Sequence, residues 1–225
     1  MSAEPIPLPR KAPAHGWTLL AVLRAPAEGT AWDAADPALG AELVAEAGLA
    51  ALIAPAAALG QDAEPEQVAA RHWEVHRALL RGDVVPAPVG VVFDSHDAVR
   101  AFLHASHAGL TGALERVAGR WEFRLHVDVV DAAFSPQLAL DLATHIYAEL
   151  RRIAVAANTL PQVSGRVLSA AFLVNRAASA AFQDRLEVLA QLNSALGLDL
   201  TGPWPPYDFV SMAPQPVPGA SDTTG

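Results

Sequence analysis

Apolar residues in the first half of the chain fall into short runs that alternate with helical periods. Residues 17–23 and 49–54 are compact apolar runs and predict strands. Residues 84–93 are also strand-like, but Pro86 and Pro88 lack amide donors, so this strand belongs at a sheet edge or a bulge. Helices are predicted over residues 38–47, over residues 65–81, and from the Asp94-Ser95 cap to residue 118.

The two longer helices have definable buried faces. On the first, Val68, His72, Val75 and Leu79 recur at the spacing of one helix face. On the second, the positions expected to face the core are Val99, Leu103, Ser106, Leu110, Leu114 and Val117.

The alternation of strands and helices restarts near Trp121. Apolar side chains at 123, 125, 127 and 129 alternate with polar ones, which predicts a half-buried strand over residues 121–130. Ser135 followed by Pro136 is a good helix start. The remaining elements are a helix to residue 157, a strand over 166–174, a helix over 177–196 and an extended segment over 198–201.

This order predicts an α+β protein with two small domains, the second compatible with a ferredoxin-like arrangement. Both ends are rich in proline, and we expect them to be mobile. The predicted boundaries are a flexible arm at 1–15, an α+β domain at 16–120, a ferredoxin-like domain at 121–202, and a proline- and aromatic-rich tail at 203–225.

Composition excludes several classes of function. The 225 residues contain no cysteine, so disulfides, thiolate metal sites and cysteine nucleophiles are absent. The net charge of −9 has the wrong sign for a nucleic-acid binder. The longest apolar stretch is too short to span a bilayer, and no signal peptide is visible at the start of the sequence. We therefore expect a cytoplasmic protein without nucleic-acid or membrane partners.

Candidate catalytic chemistry is sparse. His72 and His76 have the i, i+4 spacing of a zincin helix, but Trp73 stands where that motif needs glutamate. His126 and Asp128 share the polar face of a predicted strand and could pair, although surface alternation explains them equally well. Phosphate-binding and dinucleotide-binding glycine motifs are missing. The sequence predicts no catalytic, cofactor-binding or metal-binding residue, and a metal-dependent hydrolase built on the two histidines is a remote alternative.

One segment near the C-terminus stands out. Its prolines fix the backbone and remove amide donors, which predicts a stiff, polyproline-like rod that carries aromatic side chains. The rod could clamp the protein's own two domains together or anchor a partner, and the intramolecular role is favoured. Its candidate docking residues are Pro203, Trp204, Pro205, Pro206, Tyr207 and Phe209.

The same segment carries a family resemblance. Residues 202–210 read Gly-Pro-Trp-Pro-Pro-Tyr-Asp-Phe-Val, which resembles the signature of the gas vesicle protein F/L family. Four further segments resemble the family in the right order: 49–54, His76 followed by 84–93, 121–127, and 172–174. The sequence departs from the family pattern at Ala87-Pro88-Val89, where it lacks the arginine and the aromatic residue of the family.

The resemblance implies a non-enzymatic accessory protein of gas vesicles, with two α+β domains and no cofactor. Its expected partners are the major gas vesicle shell protein and other accessory gas vesicle proteins, bound during nucleation or assembly so that the shell protein does not aggregate. Besides the proline–aromatic segment, Val91 and Phe93 on the proline-interrupted strand are candidate docking residues. The alternative is a ferredoxin-like module that binds a small ligand for regulation.

Overall fold

The computed structural model of the chain describes two compact units. The first comprises the described residues up to 116 together with those from 210 onward, and the second spans 117–209. The described residues are 6–8, 16–27, 32–33, 39–56, 65–130, 133–161 and 163–214. The α+β fold class predicted from the sequence is confirmed.

The first unit is built on an antiparallel sheet. Its strands are β2 (Trp17–Arg24), β3 (Glu42–Glu46), β4 (Leu49–Pro55), β5 (Val84–Pro86) and β6 (Val92–Phe93). The order is β3-β4-β2-β5, and β6 also pairs with β2. The predicted strands at 17–23 and 49–54 are confirmed. The single strand predicted over 84–93 is wrong, because β5 ends at Pro86, which lacks an amide donor, and β6 forms separately; β5 lies at the sheet edge as expected.

The helix predicted over residues 38–47 is wrong, because this stretch contains β3 of a tight hairpin. Glu46 pairs with Leu49, which leaves a two-residue turn at Ala47 and Gly48. Both turn residues have positive φ, +50° and +82°, as a type I′ turn requires. The turn therefore sets the register of β3 against β4, and five residues of strand replace the expected helix.

The helix predicted over residues 65–81 is confirmed as α1 (Pro65–Arg81). Its buried face differs in part from the prediction. Val75 and Leu79 are buried as expected, but His72 is exposed and Arg71 lies in the core instead. A buried arginine needs hydrogen-bond acceptors, and backbone carbonyls of the sheet and the following loop supply them.

The single helix predicted from Ser95 to residue 118 is two helices, α2 (His96–Ala105) and α3 (His107–Val117). Ser95 caps α2 as predicted, because its side chain accepts a hydrogen bond from the amide of Ala98 at 3.2 Å. The chain leaves helical geometry at Ser106, where φ is −100° and ψ is 7°. All six positions of the predicted buried stripe are nevertheless buried.

The second unit has ferredoxin-like topology, which confirms the sequence prediction. Its order is β7 (Arg120–Val129), α4 (Pro136–Arg151), β8 (Ala156–Thr159), β9 (Arg166–Asn175), α5 (Ser179–Leu192) and β10 (Leu196–Trp204). These strands form an antiparallel sheet in the order β10-β7-β9-β8, the βαββαβ pattern. The helix predicted to reach residue 157 ends at Arg151, and β8 follows it.

One face of this second sheet forms an apolar core. The rings of Phe123 and Phe172 lie 5.6 and 5.4 Å from that of Phe182 on α5, and all three are buried. On β7, Glu122 and Arg124 alternate with these core positions and point to the opposite face. The sheet thus separates an aromatic core from a polar surface.

Both ends of the chain were expected to be mobile, yet a short strand forms at each. β1 (Ile6–Leu8) pairs in parallel with β11 (Met212–Pro214). The other residues of the predicted arm at 1–15, and those after Pro214, lie outside the described residues. The mobility of both ends stays a prediction.

Candidate functional site

The proline–aromatic segment continues the last strand of the second unit. β10 pairs with β7 through Thr201, and the register shifts before Trp204, which lies opposite Glu122. Gly202 has φ +130° and is followed by a cis peptide bond to Pro203. A Cβ at Gly202 would lie 2.9 Å from the carbonyl oxygen of Glu122, so this close approach requires glycine.

The structure corrects the expectation of a polyproline-like rod. Trp204 belongs to the sheet, and Tyr207–Phe209 forms a 3₁₀ turn. The physical reason is local, because pairing with β7 fixes the first part of the segment and the turn bonds fix the rest. The amide of Tyr207 donates to the carbonyl of Pro205 at 2.7 Å. We call residues 203–209 the strap.

The candidate docking residues on the strap differ in exposure. Pro205 and Pro206 are buried, whereas Pro203, Tyr207 and Phe209 are half-buried. Trp204 is 38% exposed, and its indole N–H donates to the Thr201 hydroxyl at 3.0 Å. The tryptophan is therefore held in place on the sheet while part of its ring faces solvent.

Asp208 ties the strap to two strands. Its amide donates to the Glu122 carboxyl at 2.8 Å, and its carboxylate accepts from the Arg124 guanidinium at 2.9 Å. Its carbonyl accepts from the side chain of Asn158 on β8 at 2.7 Å. Arg124 and Asn158 both lie opposite Ala171 of β9 in the sheet register. The strap therefore crosses the polar face of the sheet from β10 to β8.

Glu122 is the buried group of this cluster. Its side chain is fully buried, and Arg124 Nε donates to it at 2.8 Å. Burial raises the pKa of Glu122 to about 8, and the charge and the hydrogen bond of the Asp208 carboxylate act in the same direction. The Asp208 amide and Arg124 have the opposite effect and lower the pKa. One guanidinium thus faces two carboxyl groups, only one of which is exposed to water.

His126 lies farther along the same face of β7. Its Nδ1 lies 3.0 Å from the Ser169 hydroxyl, so the hydrogen-bond partner on this face is serine rather than Asp128. Burial lowers the pKa of His126 and Arg166 adds to the effect, whereas Asp199 and Asp128 oppose it. The possible pairing of His126 with Asp128 is not formed.

Val91 and Phe93 were expected on a docking surface, and the structure buries both. Val91 is 4% exposed and Phe93 5% exposed. The carbonyl of Val91 accepts from the amide of Leu19 at 2.8 Å, and the ring of Phe93 lies 5.2 Å from that of Phe102. Their side chains fill the core of the first unit, so they do not offer a surface to a partner.

The histidine pair of α1 shows no metal-binding geometry. The ring of His76 stacks on Trp73 with 5.8 Å between centroids, and His72 is exposed. In the described ranges, no three His, Asp or Glu side chains are grouped closely enough to hold a metal ion. Those ranges also contain no helix with the length and apolar character needed to cross a bilayer.

Sequence reasoning found the strap but missed Glu122, Arg124 and Asp208 as one cluster. A Glu-x-Arg pair on a half-buried strand was the available signal, since it puts opposite charges on one face. The partner Asp208 lies 86 residues from Glu122 along the chain, and only the fold brings them together.

Comparison with known proteins gives the same family as the strap motif. The family model described as gas vesicle synthesis protein GvpL/GvpF matches residues 19–141 and 137–211. The chain belongs to this family. Both the strap and the Glu122 strand lie inside the matched ranges, and the GvpL/GvpF membership assigns the chain a role connected with gas vesicles.

One curated protein and two solved structures are also similar to this chain. The chain is 26% identical to gas vesicle protein F2 of Halobacterium salinarum over an alignment of 149 positions, which covers 63% of this chain and 67% of that protein. The crystal structure of GvpF from Anabaena sp. PCC7120 is similar with a TM-score of 0.72 and 17% identity, covering 89% of this chain and 98% of that one. GvpF from Microcystis aeruginosa has a TM-score of 0.70 and 14% identity, with 86% and 98% covered.

Proposed function

We propose that this chain is an accessory structural protein of gas vesicles that binds the major shell protein during nucleation or assembly and limits its aggregation. Family membership supports the connection to gas vesicles. The observation that carries the proposal is Trp204, a partly exposed tryptophan held on a rigid sheet by the strap. We assign no catalytic reaction to the chain and propose that it acts by binding other proteins.

Trp204 has the properties of an interaction anchor. Tryptophan is enriched among the residues that dominate binding energy at protein interfaces. Its hydrogen bond to Thr201 and its place in β10 order the side chain before a partner arrives. A preordered anchor loses less conformational entropy on binding, which leaves more of the contact energy for affinity.

A second feature beside the strap supports binding to an extended segment of a partner. β8 is the last strand of its sheet, and its Asn158 and Thr159 are exposed. An open groove of about 510 Å³ borders this edge, with Tyr147 and Asp208 among its lining residues. A free sheet edge can accept an added strand, and covering an exposed strand of a partner is a direct way to prevent its aggregation.

The proposal is tested by co-purification of the full chain with the major gas vesicle shell protein. Trp204→Ala should weaken this binding at least tenfold, while the melting temperature falls only modestly because part of the ring is already in water. Trp73→Ala is the matched control, since Trp73 is 55% exposed on α1 of the first unit. This control should bind as the unmodified chain does.

Three outcomes contradict the proposal. The chain fails to co-purify with the shell protein, or Trp204→Ala binds unchanged, or a strain lacking the gene still floats normally. If Trp204→Ala instead unfolds the protein, Trp204→Gln keeps a long side chain on the sheet and removes the aromatic ring, so it tests the same surface. Unchanged binding of this variant then counts against the strap as the binding surface.

A further inference from the structure

We propose that the strap is a proton-dependent latch, in which one proton shared between Glu122 and Asp208 holds the strap on the sheet and its loss to solvent releases the strap. This inference concerns the chain alone and holds whether or not the shell protein is its partner. It rests on the charges and contacts that attach Asp208 to β7 and β8.

The charges of the cluster balance when it holds one proton. Arg124 donates to Glu122 at 2.8 Å and to Asp208 at 2.9 Å, so one guanidinium serves two carboxyl groups. With one proton between the carboxyl groups, the cluster is neutral. Without it, an uncompensated negative charge stands beside a fully buried side chain, which is costly in a medium of low polarity.

The strand neighbours of Glu122 on this face supply no charge. They are Leu173 of β9 and Trp204 of β10, and neither side chain ionises. On β7 itself Arg120 and Arg124 flank Glu122 on the same face, and the charges of Arg124 and Asp208 shift the pKa of Glu122 in opposite directions. The raised pKa of Glu122 agrees with this geometry, since burial and Asp208 both favour the protonated carboxyl.

The attachments of Asp208 differ in their response to this proton. The carboxyl groups of Asp208 and Glu122 repel each other once both are ionised, and this repulsion acts against the Asp208 amide and Arg124, which both favour the ionised Glu122. The hydrogen bond from Asn158 joins an amide to a carbonyl and does not titrate. Loss of the proton therefore weakens the strap at β7 and leaves its contact with β8 as a weak tether.

The direction and range of the pH effect follow from linkage. A released Glu122 has an ordinary pKa near 4.5, whereas the latched one has a pKa of about 8. Between these two values, release sets a proton free, so the opening equilibrium rises up to tenfold for each unit of pH. Above about pH 8 both states have lost the proton, and the opening equilibrium becomes constant.

Hydrogen exchange of the full chain, measured by mass spectrometry from pH 5 to 8.5 and corrected for intrinsic rates, tests the latch. Prolines 203, 205 and 206 have no amide, so a peptide over the strap reports on Trp204 and on residues 207–209. In the unmodified chain, protection of this peptide should fall up to tenfold per pH unit and then level off. Protection of β9 should change far less.

Glu122→Gln mimics the protonated carboxyl and should keep the strap's protection constant over the whole pH range. His126→Gln is the matched control on the same face of β7 and should retain the profile of the unmodified chain. A flat profile in the unmodified chain overturns the latch. So does a loss of protection that is equal in the unmodified chain and in Glu122→Gln.

Asp208→Asn gives an independent test if Glu122→Gln does not fold. The variant keeps the backbone contacts of residue 208 but removes the second carboxylate, so Arg124 then balances Glu122 alone. Protection should level off at a lower pH than in the unmodified chain. A profile identical to that of the unmodified chain contradicts the shared proton.

Discussion

Both units bury charged side chains, and Arg71 of the first is satisfied differently from Glu122 of the second. The first unit also buries Glu74, which accepts from the Trp32 indole at 3.0 Å. In the first unit Arg71, 2% exposed, donates to the carbonyls of Leu19 at 3.1 Å and Ala87 at 2.6 Å. In the second unit Glu122 contacts the amide of Asp208 and the guanidinium of Arg124. Backbone carbonyls do not titrate and arginine keeps its proton, so the Arg71 contacts are the same at every ordinary pH.

This difference shows what a buried charge can do in a fold. Arg71 fixes the loop after β5 permanently, because a constant cation meets neutral acceptors. Glu122 fixes the strap conditionally, because its charge depends on a proton with a pKa of about 8. Substitutions that remove either group should therefore differ in how their effects depend on pH.

The largest effect is expected for Arg71→Met. Methionine fills similar space but leaves the carbonyls of Leu19, Ala87 and Pro88 without this donor in the core. We expect a loss of about 4 kcal/mol in the free energy of unfolding, equal at pH 5 and pH 8. Urea denaturation at the two pH values measures it.

Arg81→Met on the same helix is the control for this substitution. Arg81 is partly exposed and lies 4.5 Å over the ring of Trp32, so its loss should cost at most about 1 kcal/mol. An Arg71→Met cost no larger than that of the control, or one that changes strongly with pH, would contradict the permanent role assigned to Arg71.

Glu122→Gln should remove a pH dependence rather than a constant amount of stability. The folded pKa is raised from 4.5 to about 8, so the folded chain binds more protons than the unfolded chain between these values. Stability of the unmodified chain then falls by up to about 1.4 kcal/mol per pH unit, or ~4 kcal/mol across the window. Denaturation curves from pH 5 to 8.5 should show this fall relative to Glu122→Gln, and parallel curves would argue against it.

Gly202→Ala should be more damaging than Gly90→Ala, although both glycines have positive φ. A Cβ at Gly202 lies 2.9 Å from the Glu122 carbonyl oxygen and 3.0 Å from the Phe123 ring, whereas at Gly90 nothing lies within 4 Å. Both variants have backbone strain, and Gly202→Ala adds a clash that costs about 2 kcal/mol more. Equal melting temperatures of the two variants would show that the strap can shift without cost.

The smallest effect is expected for Asn158→Ala. It removes one exposed hydrogen bond to the carbonyl of Asp208, worth about 0.5 to 1 kcal/mol. This loss should be independent of pH, in contrast to Glu122→Gln. A loss above about 2 kcal/mol, seen in urea denaturation, would mean that β8 holds the strap more strongly than β7.

Long helices and strands could be predicted from the sequence because many of their residues repeat the same spacing of apolar side chains. The helix at 65–81 and the strand at 121–130 were placed nearly to the residue. β3 and β8 were not predicted, because each has at most five residues and its neighbouring apolar residues have a spacing that also fits a helix. In β3, the deciding feature is the positive φ of Ala47 and Gly48, which the residue types only partly indicate.

The sequence predicted which segment forms part of the candidate site, but not the conformation of that segment or the residues it contacts. Its prolines and aromatic residues mark the strap directly, whereas its form depends on the pairing of Trp204 with β7. The Glu122 cluster joins residues that are far apart in the chain, and strand register cannot be deduced from local patterns. Val91 was misplaced for the same reason, because its burial depends on the packing of β2.

The most direct test of the conditional contact is the pKa of Glu122 itself. Carbon-13 NMR of the side-chain carboxyl, with Glu122→Gln used to assign the signal, follows the ionisation in the folded chain. The cluster geometry predicts a midpoint near pH 8. A midpoint near the ordinary glutamate value of about 4.5 would mean that Arg124 balances both carboxylates, and the proton-dependent account of the strap would be wrong.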